Sequence, residues 1–497
     1  MKIAIFADLH YTCEADRLKS TILDWALSDA RMQGADAIIC AGDMIGNGTL
    51  AEAAALISKL EHSGLPVAYT PGNAELRTPA DAAEVCRNFR MHSRMPVTEQ
   101  GAGLIVLEDT SLCYCSADVF RRLPDGAGVL FVTHCPPWQF GDEVLSAWQE
   151  AIQRGAVALT VAGHVHEDVK CGNSGIAIRG LDPDKTIGGP PSYVIADNSS
   201  GVWRQTAVRE MPGIRPEEWS AEFRQAFLRD LGISGMNDPL ENLQFAISHK
   251  IPCYEFHYVP DANQADWEQL LSDWRAAGGR CLSIHLPVIS AAEIEKSTAS
   301  LNSACCRAVS LGADRVTLHV PDVPVGDFKA KEAILLRAFE EGLAPLKDTG
   351  IVIGVENMHT KRGNTRENRG FGFTPPECRY LMAALSRMPG LTVGYHCDIG
   401  HARNNAPYDW EYPLSAWYEL LGAKCCGMHL HQVLRTATGD LENHGPLTGF
   451  FTPLISLGSL ILARQSGLLA ATPMFLEIRA GKVQESYLAI RKMIENY

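Results

Sequence analysis

The sequence predicts two α/β units in tandem. Residues 1–205 read as a mixed sheet or two-sheet sandwich, 206–220 as a linker, and 221–497 as a (β/α)₈ barrel. Three observations predict this. A length of 497 residues suits two or three domains. Short apolar runs recur along the chain and end in Asp, His or Gly-Asn, as strands do when they deliver polar groups at their carboxyl ends. The spacing of those runs also changes near residue 206.

In the first half the runs are KIAIFAD, ADAIICAGD, LPVAYTPGN, GLIVLED, GVLFVTH, VALTVAGH, GIAIRG and PSYVIAD. Connections shorten toward its end, which fits a mixed sheet or a sandwich. The stretch TAVREMPGIRPEEWS combines Pro, Gly and charge and reads as a linker. Beyond it strand and helix alternate. LRDLGISG, CYEFHY, RCLSIHLP, DRVTLHVP, IVIGVENM, LTVGYHCDIGH, KCCGMHLHQ and MFLEIR are the strands. Segments such as ADWEQLLSDWRAAGG and SLNSACCRAVSLGA are long enough for the helices between them.

Composition narrows the function classes. Apolar residues at 46% and charged residues at 21% are those of an ordinary globular enzyme. A formal net charge of −14 disfavours nucleic acid as a partner, although a local basic groove would escape this count. A small phosphorylated or sugar substrate suits it better, and an oligomer is compatible. Cysteines lie inside apolar strands (Cys40, Cys281, Cys397) or side by side (Cys305 and Cys306, Cys425 and Cys426), which suits a reducing compartment and predicts a cytoplasmic protein. The start, MKIAIFADLH, is too short and polar for a signal peptide. No apolar run reaches the ~18 residues of a membrane span.

Ligand-type residues gather at strand ends in the first half. They are Asp8 and His10 (DLH), Asp43 (GDMIGNG), Asn73 (GNAE), His134 (VTHCPP), and His164 and His166 (GHVH). Residues two apart leave a strand on the same face. Two carboxylates, an amide oxygen and four imidazoles can hold two divalent ions, with Asp43 the natural bridge, and a mixed O/N set suits Mn, Fe or Zn. This order resembles the calcineurin-like metallophosphoesterases. The resemblance implies an α/β sandwich and a dimetal phosphoesterase. It puts Asp8, His10, Asp43 and His166 at one ion and Asp43, Asn73, His134 and His164 at the other, and His134 is also a catalytic candidate. Ala74 departs from the family's usual His, a proton donor to the leaving group, although small bacterial members reading G-N-C also lack it.

In the second half Glu356, Asp398, His429 and Glu477 come from four successive strands and together make an O₃N set at a barrel mouth. His285, His319, His401, His431, Glu442 and His444 crowd the same end. The strings SIHLP, GVENM, DIGHA, HLHQ, ENHGPL and FLEIR resemble the xylose isomerase-like barrels, which include sugar isomerases, epimerases and endonuclease IV. The resemblance implies Glu356, Asp398, His429 and Glu477 as metal ligands, with Glu356 and Glu477 also moving protons. His285, His319, His401, Glu442 and His444 occupy places comparable to the extra ligands of a three-zinc centre. One to three Zn or Mn ions are therefore expected. Glu442 and Gln432 each replace a more usual Asp.

Three functional readings follow: a two-headed metalloenzyme, phosphoesterase plus sugar isomerase or epimerase; a repair nuclease with an endonuclease IV-like barrel; or a chain in which one half only binds a ligand. The basic loop KRGNTRENRGFG could bind phosphate or simply be solvated, and Arg479 could face an anion. The aromatic stretch DWEYPLSAWYELL reads as packing.

Overall fold

The computed structural model describes residues 1–12, 17–94, 104–258, 264–361, 363–479 and 481–496. The chain folds as two compact units, Met1–Arg215 with Ser456–Ser459, and Pro216–Ile455 with Leu460–Tyr497.

The first unit contains strands β1 (Lys2–Phe6), β2 (Ala37–Ala41), β3 (Val67–Thr70), β4 (Ile105–Glu108) and β5 (Val129–Thr133), followed by β6 (Val157–Ala162), β7 (Val169–Cys171), β8 (Gly175–Ala177), β9 (Ser192–Asp197) and β10 (Arg204–Glu210). They form two five-stranded sheets, ordered β10-β9-β1-β2-β3 and β4-β5-β6-β8-β7. The inner strands pair in parallel, β1 with β2 and β5 with β6. The last strand at one edge of each sheet is antiparallel. Ile3, Ile5, Ile39 and Ala41 of the first sheet share one core with Leu130, Val132, Leu159 and Val161 of the second. The sheets therefore pack face to face as a sandwich. Trp148 and Phe131 anchor a second apolar cluster with Phe120 and Val157.

All eight runs named in this half are strands; β7 and β10 are additional. The linker expected over 206–220 is corrected in its first part, where 204–210 is a strand paired to β9. It alternates exposed and half-buried residues and carries Arg204, Arg209 and Glu210, because an edge strand meets solvent along one side. Its charge disguised it as a linker.

In the second unit eight strands close a barrel: β11 (Leu231–Ser234), β12 (Cys253–His257), β13 (Cys281–His285), β14 (Arg315–His319), β15 (Val352–Glu356), β16 (Thr392–Asp398), β17 (Cys425–Leu430) and, after an insertion, β22 (Met474–Leu476). The insertion holds two small two-stranded ladders, β18 (Gln432–Arg435) with β19 (Leu441–Gly445), and β20 (Phe451–Thr452) with β21 (Ile455–Ser456). All barrel pairings are parallel, and β22 closes the ring onto both β11 and β17. Helices follow the strands, including Pro239–Ser248, Gln264–Ala276 and Ile294–Ser310. Within the aromatic stretch, Trp417 and Tyr418 are fully buried, so packing is its role there.

Candidate metal centres

In the sandwich unit the candidate ligands sit just past β1, β2, β3, β5 and β6. Five of them, Asp8, His10, Asp43, His164 and His166, adopt left-handed backbone with φ between 49° and 74°. Such a conformation costs a non-glycine residue ~1–2 kcal/mol. Strain of this kind gathers at functional sites. Gly72 has a different reason. A Cβ there would stand 2.5 Å from the Asp43 nitrogen and 2.9 Å from His134 Cδ2, so only glycine lets the Asn73 loop close on the site.

Asp43 lies at the centre. Its Oδ2 is 3.2 Å from His10 Nε2, and its Oδ1 is 3.3 Å from His134 Nε2. On the His10 side, His166 stacks on His10 at 5.3 Å, and Asp8 Oδ1 lies 3.9 Å from His166 Nε2. On the other side, His134 Nε2 is 3.1 Å from Asn73 Oδ1 and 3.2 Å from His164 Nδ1. One carboxylate thus lies between two sets of donors.

The donors suit cations. His166 Nδ1 is buried without a hydrogen bond. Burial lowers the pKa of His10, His164 and His166, which favours the neutral imidazole, the form that ligates. Burial, then the charge of Asp43, raises Asp8. Burial would raise Asp43 too, but His134 and His10 outweigh it and hold it well below the usual range.

Two buried carboxylates behind these ligands carry no signal that the sequence analysis used. Glu75 accepts N–H bonds from Gly72 at 2.6 Å, Asp43 at 3.0 Å, Met44 at 2.8 Å and Ile45 at 3.2 Å, tying the Asp43 and Asn73 loops together. Burial, then Asp43, pushes its pKa to about 7. Asp182 lies 3.2 Å from His10 Nδ1, 3.7 Å from Lys19 Nζ and 3.8 Å from Lys185 Nζ. Ala74 is fully buried, and its N–H donates to Asp43 Oδ1 at 2.7 Å.

Near their carboxyl ends the barrel strands share a three-residue pattern: EFH, SIH, TLH, GVE and HCD end β12–β16, GMH stops one residue short of the end of β17, and FLE runs one residue past β22. The first and third residues meet partners on non-adjacent strands, which only a barrel interior permits. The third residues form the mouth layer. Glu356 Oε1 lies 2.9 Å from His429 Nδ1, and Glu356 Oε2 lies 2.9 Å from His319 Nε2 and 3.4 Å from His285 Nε2. His429 Nδ1 is also 3.2 Å from Glu477 Oε2 and 3.6 Å from Asp398 Oδ2. The four expected ligands therefore converge, and His285 and His319 share Glu356 with them.

Electrostatics favour a cation here too. Burial alone would raise Glu356, Asp398 and Glu477, but histidines, His429 above all for the two glutamates, hold all three well below the usual range. His429 is pushed well above its usual value; burial opposes this, but Glu477 and Glu255 outweigh it. Glu356 Oε2 and Glu477 Oε2 are buried beside these histidine nitrogens.

Beneath the mouth lies a polar layer. Glu255 takes His429 Nε2 at 2.7 Å and accepts from Ser283 Oγ at 2.9 Å and Thr317 Oγ1 at 2.7 Å. His396 Nδ1 is 3.2 Å from Thr317 Oγ1. A Cβ at Gly427 would stand 2.5 Å from that nitrogen, so glycine makes room for the ring. Sequence reasoning missed Glu255, His396 and the mouth residue His257, 3.4 Å from Glu477 Oε1. The repeated three-residue pattern was the signal that could have found them.

A third group joins His401, His431 and His444. His401 turns Nδ1 to the Asn357 carbonyl at 3.0 Å, and His431 Nε2 lies 3.0 Å from Asp398 Oδ1. Glu442 is corrected: it is exposed on β19, and His431 takes its expected place beside His401 and His444. A strand alternates its faces, so Glu442 and His444 would share one, but the β18–β19 register shifts and His444 has left-handed φ of 64°.

Arg479 is exposed. In the basic loop, Arg369 pairs with Glu377 at 2.6 Å and Tyr408 at 2.9 Å, and Arg366 with Glu411 at 3.1 Å; Arg362 lies outside the described residues. The loop's described arginines are thus engaged locally. A cleft of about 350 Å³ lined by His319, Met358, His359, Lys361 and Phe371 opens at this end.

Residues 1–168 match the calcineurin-like phosphoesterase family, and residues 228–467 match the xylose isomerase-like TIM barrel family. No curated protein gives a significant match. Among solved structures, a D-tagatose 3-epimerase-like protein is 17% identical, with a TM-score of 0.41 over 54% of this chain and 97% of its own. A xylose isomerase homologue from Rhodospirillum rubrum is 15% identical, with a TM-score of 0.43 over 54% and 98%. A dimetal phosphatase from Danio rerio is 14% identical, with a TM-score of 0.29 over 39% and 92%. The chain joins a calcineurin-like phosphoesterase domain to a xylose isomerase-like TIM barrel.

Proposed function

We propose that this protein is a two-headed metalloenzyme: the sandwich unit hydrolyses a phosphate ester, and the barrel isomerises or epimerises a sugar or sugar phosphate. The observation that carries the first activity is Asp43, whose two oxygens face two separate donor sets at 3.2 and 3.3 Å. Two divalent ions (Mn, Fe or Zn) fit these donors and would supply an activated water and a clamp on the phosphoryl group. With Ala74 buried where relatives carry a proton donor, esters with good leaving groups suit the site best.

In the barrel, Glu356 and Glu477 flank His429 Nδ1 at 2.9 and 3.2 Å. One Zn or Mn held by these three and Asp398 would polarise a substrate oxygen. The two glutamates then stand ready to take and return a proton on neighbouring carbons. The cleft of about 350 Å³ suits a small substrate. The net charge of −14 also suits small-molecule metabolism. We place the enzyme in the cytoplasm on the strength of its cysteines, which sit inside apolar strands or side by side.

The third histidine group favours a second reading, a multi-ion barrel that cleaves phosphodiesters in nucleic acid as endonuclease IV does. Metal analysis of barrel-only ions separates the two: one supports the isomerase, three the nuclease. Manganese-loaded protein should hydrolyse p-nitrophenyl phosphate or its bis ester; no turnover of either with both ions bound rejects the first activity. A specific nick in an abasic-site duplex at low salt would replace the isomerase reading with the nuclease one.

A further inference from the structure

Beside the dimetal centre two thiols sit together. Cys135 follows His134 directly and is buried, whereas Cys113 is exposed. Their sulfurs are 3.9 Å apart. Both lie within 4.8 Å of a ring nitrogen of His164. Thr110 holds the pair: its carbonyl accepts the Cys113 N–H at 2.8 Å and the Cys135 thiol at 3.6 Å, and its Oγ1 accepts the Cys135 N–H at 2.8 Å. Cys113 has left-handed φ of 53°, an unusual conformation for a non-glycine residue. Exposed Leu112 and Tyr114 flank it. One thiol therefore meets solvent while the other waits behind it, against two metal ligands.

We infer that Cys113 and Cys135 form an oxidation site whose disulfide loosens the neighbouring dimetal centre. The oxidant is a hydroperoxide. Cys113 sulfur attacks its terminal oxygen, the O–O bond breaks, and the thiol proton leaves with the alcohol or water released. Cys135 sulfur then attacks the resulting sulfenic acid, forming the S–S bond and expelling hydroxide, which leaves as water with the Cys135 proton. Two thiols are oxidised by two electrons and one peroxide is reduced. The sulfurs must close from 3.9 Å to about 2.05 Å. Cys135 moves with His134, whose Nε2 lies 3.1 Å from Asn73 Oδ1 and 3.2 Å from His164 Nδ1. A transient disulfide of this kind is the form disulfides take in a reducing compartment.

The coupling rests on His134 and His164 being metal ligands; the crosslink does not, so the two can fail separately. Full-length protein is treated with one equivalent of hydrogen peroxide, blocked with N-ethylmaleimide and mapped by peptide mass. A Cys113–Cys135 peptide reversed by dithiothreitol is expected and absent in Cys113→Ser. Manganese should leave the crosslinked protein about tenfold faster, the size of effect seen when a ligand's support is lost, and Cys113→Ser should release it at the unoxidised rate under peroxide. Over-oxidation of Cys113 without a crosslink, or a crosslink with unchanged manganese release, overturns the inference. Zinc protecting both thiols from N-ethylmaleimide also overturns it, by assigning a metal site instead.

Discussion

Gly400→Ala sets two physical effects against each other. Gly400 lies in the helical turn Ile399–Arg403 after β16. Helix propensity alone predicts that Ala stabilises by ~1 kcal/mol. Tertiary structure predicts the opposite, because a Cβ there would stand 2.5 Å from His431 Nε2, and closer to other ring atoms. The ring must retreat by roughly 1.5–2 Å for its nearest atom to reach ordinary contact. It then gives up the bond from Nε2 to Asp398 Oδ1 at 3.0 Å and the His444 N–H on Nδ1 at 2.8 Å. Two buried bonds at ~1 kcal/mol each and overpacking of ~1–3 kcal/mol outweigh the helical gain. The net loss is ~2–4 kcal/mol, a Tm drop of roughly 5–15 °C for a unit of this size. Urea and thermal unfolding measure it, and metal analysis of the barrel should show the His401–His431–His444 group weakened. A variant as stable as wild type, with unchanged metal content, would refute the packing argument and return the decision to helix propensity.

Asp43→Ala should strip metal from the sandwich unit and leave the barrel's content intact, with Glu356→Gln doing the converse; metal analysis of both variants checks this. Glu255→Gln should weaken barrel metal affinity ~10–100-fold, read by chelator competition, because Glu255 orients His429 from behind at 2.7 Å. Burial, then the charge on His429, lowers the His396 pKa to about 3. The unfolded chain therefore takes this proton first, near pH 6.5, and metal-free wild type should lose up to ~1.4 kcal/mol per pH unit relative to His396→Gln as pH falls below that value. Parallel urea titrations at pH 7, 6 and 5 test the slope; equal slopes in both proteins would mean that His396 is not buried neutral.

Much of the fold was legible because its signals are local. A buried parallel strand must be a short apolar run, and eight such runs in the second half are the eight barrel strands. β10 was not legible, since an edge strand shows charge to solvent and reads like a linker. Asp8, His10, Asp43, Asn73, His134, His164 and His166 were legible because strand ends deliver chemistry and motifs two residues apart share a face.

The sequence by itself determined which residues stand at the ends of which strands. It could not determine which of those residues meet. Glu255 and His429 are 174 positions apart and bond at 2.7 Å; Cys113 and Cys135 are 22 apart and touch at 3.9 Å. Glu442 and His431 are both ligand-type residues within reach of His444 along the chain, and only the shifted β18–β19 register and the turn at His444 chose between them. Chain closure, sheet register and backbone handedness made these choices, because side-chain proximity across strands is a property of packing rather than of spacing along the chain.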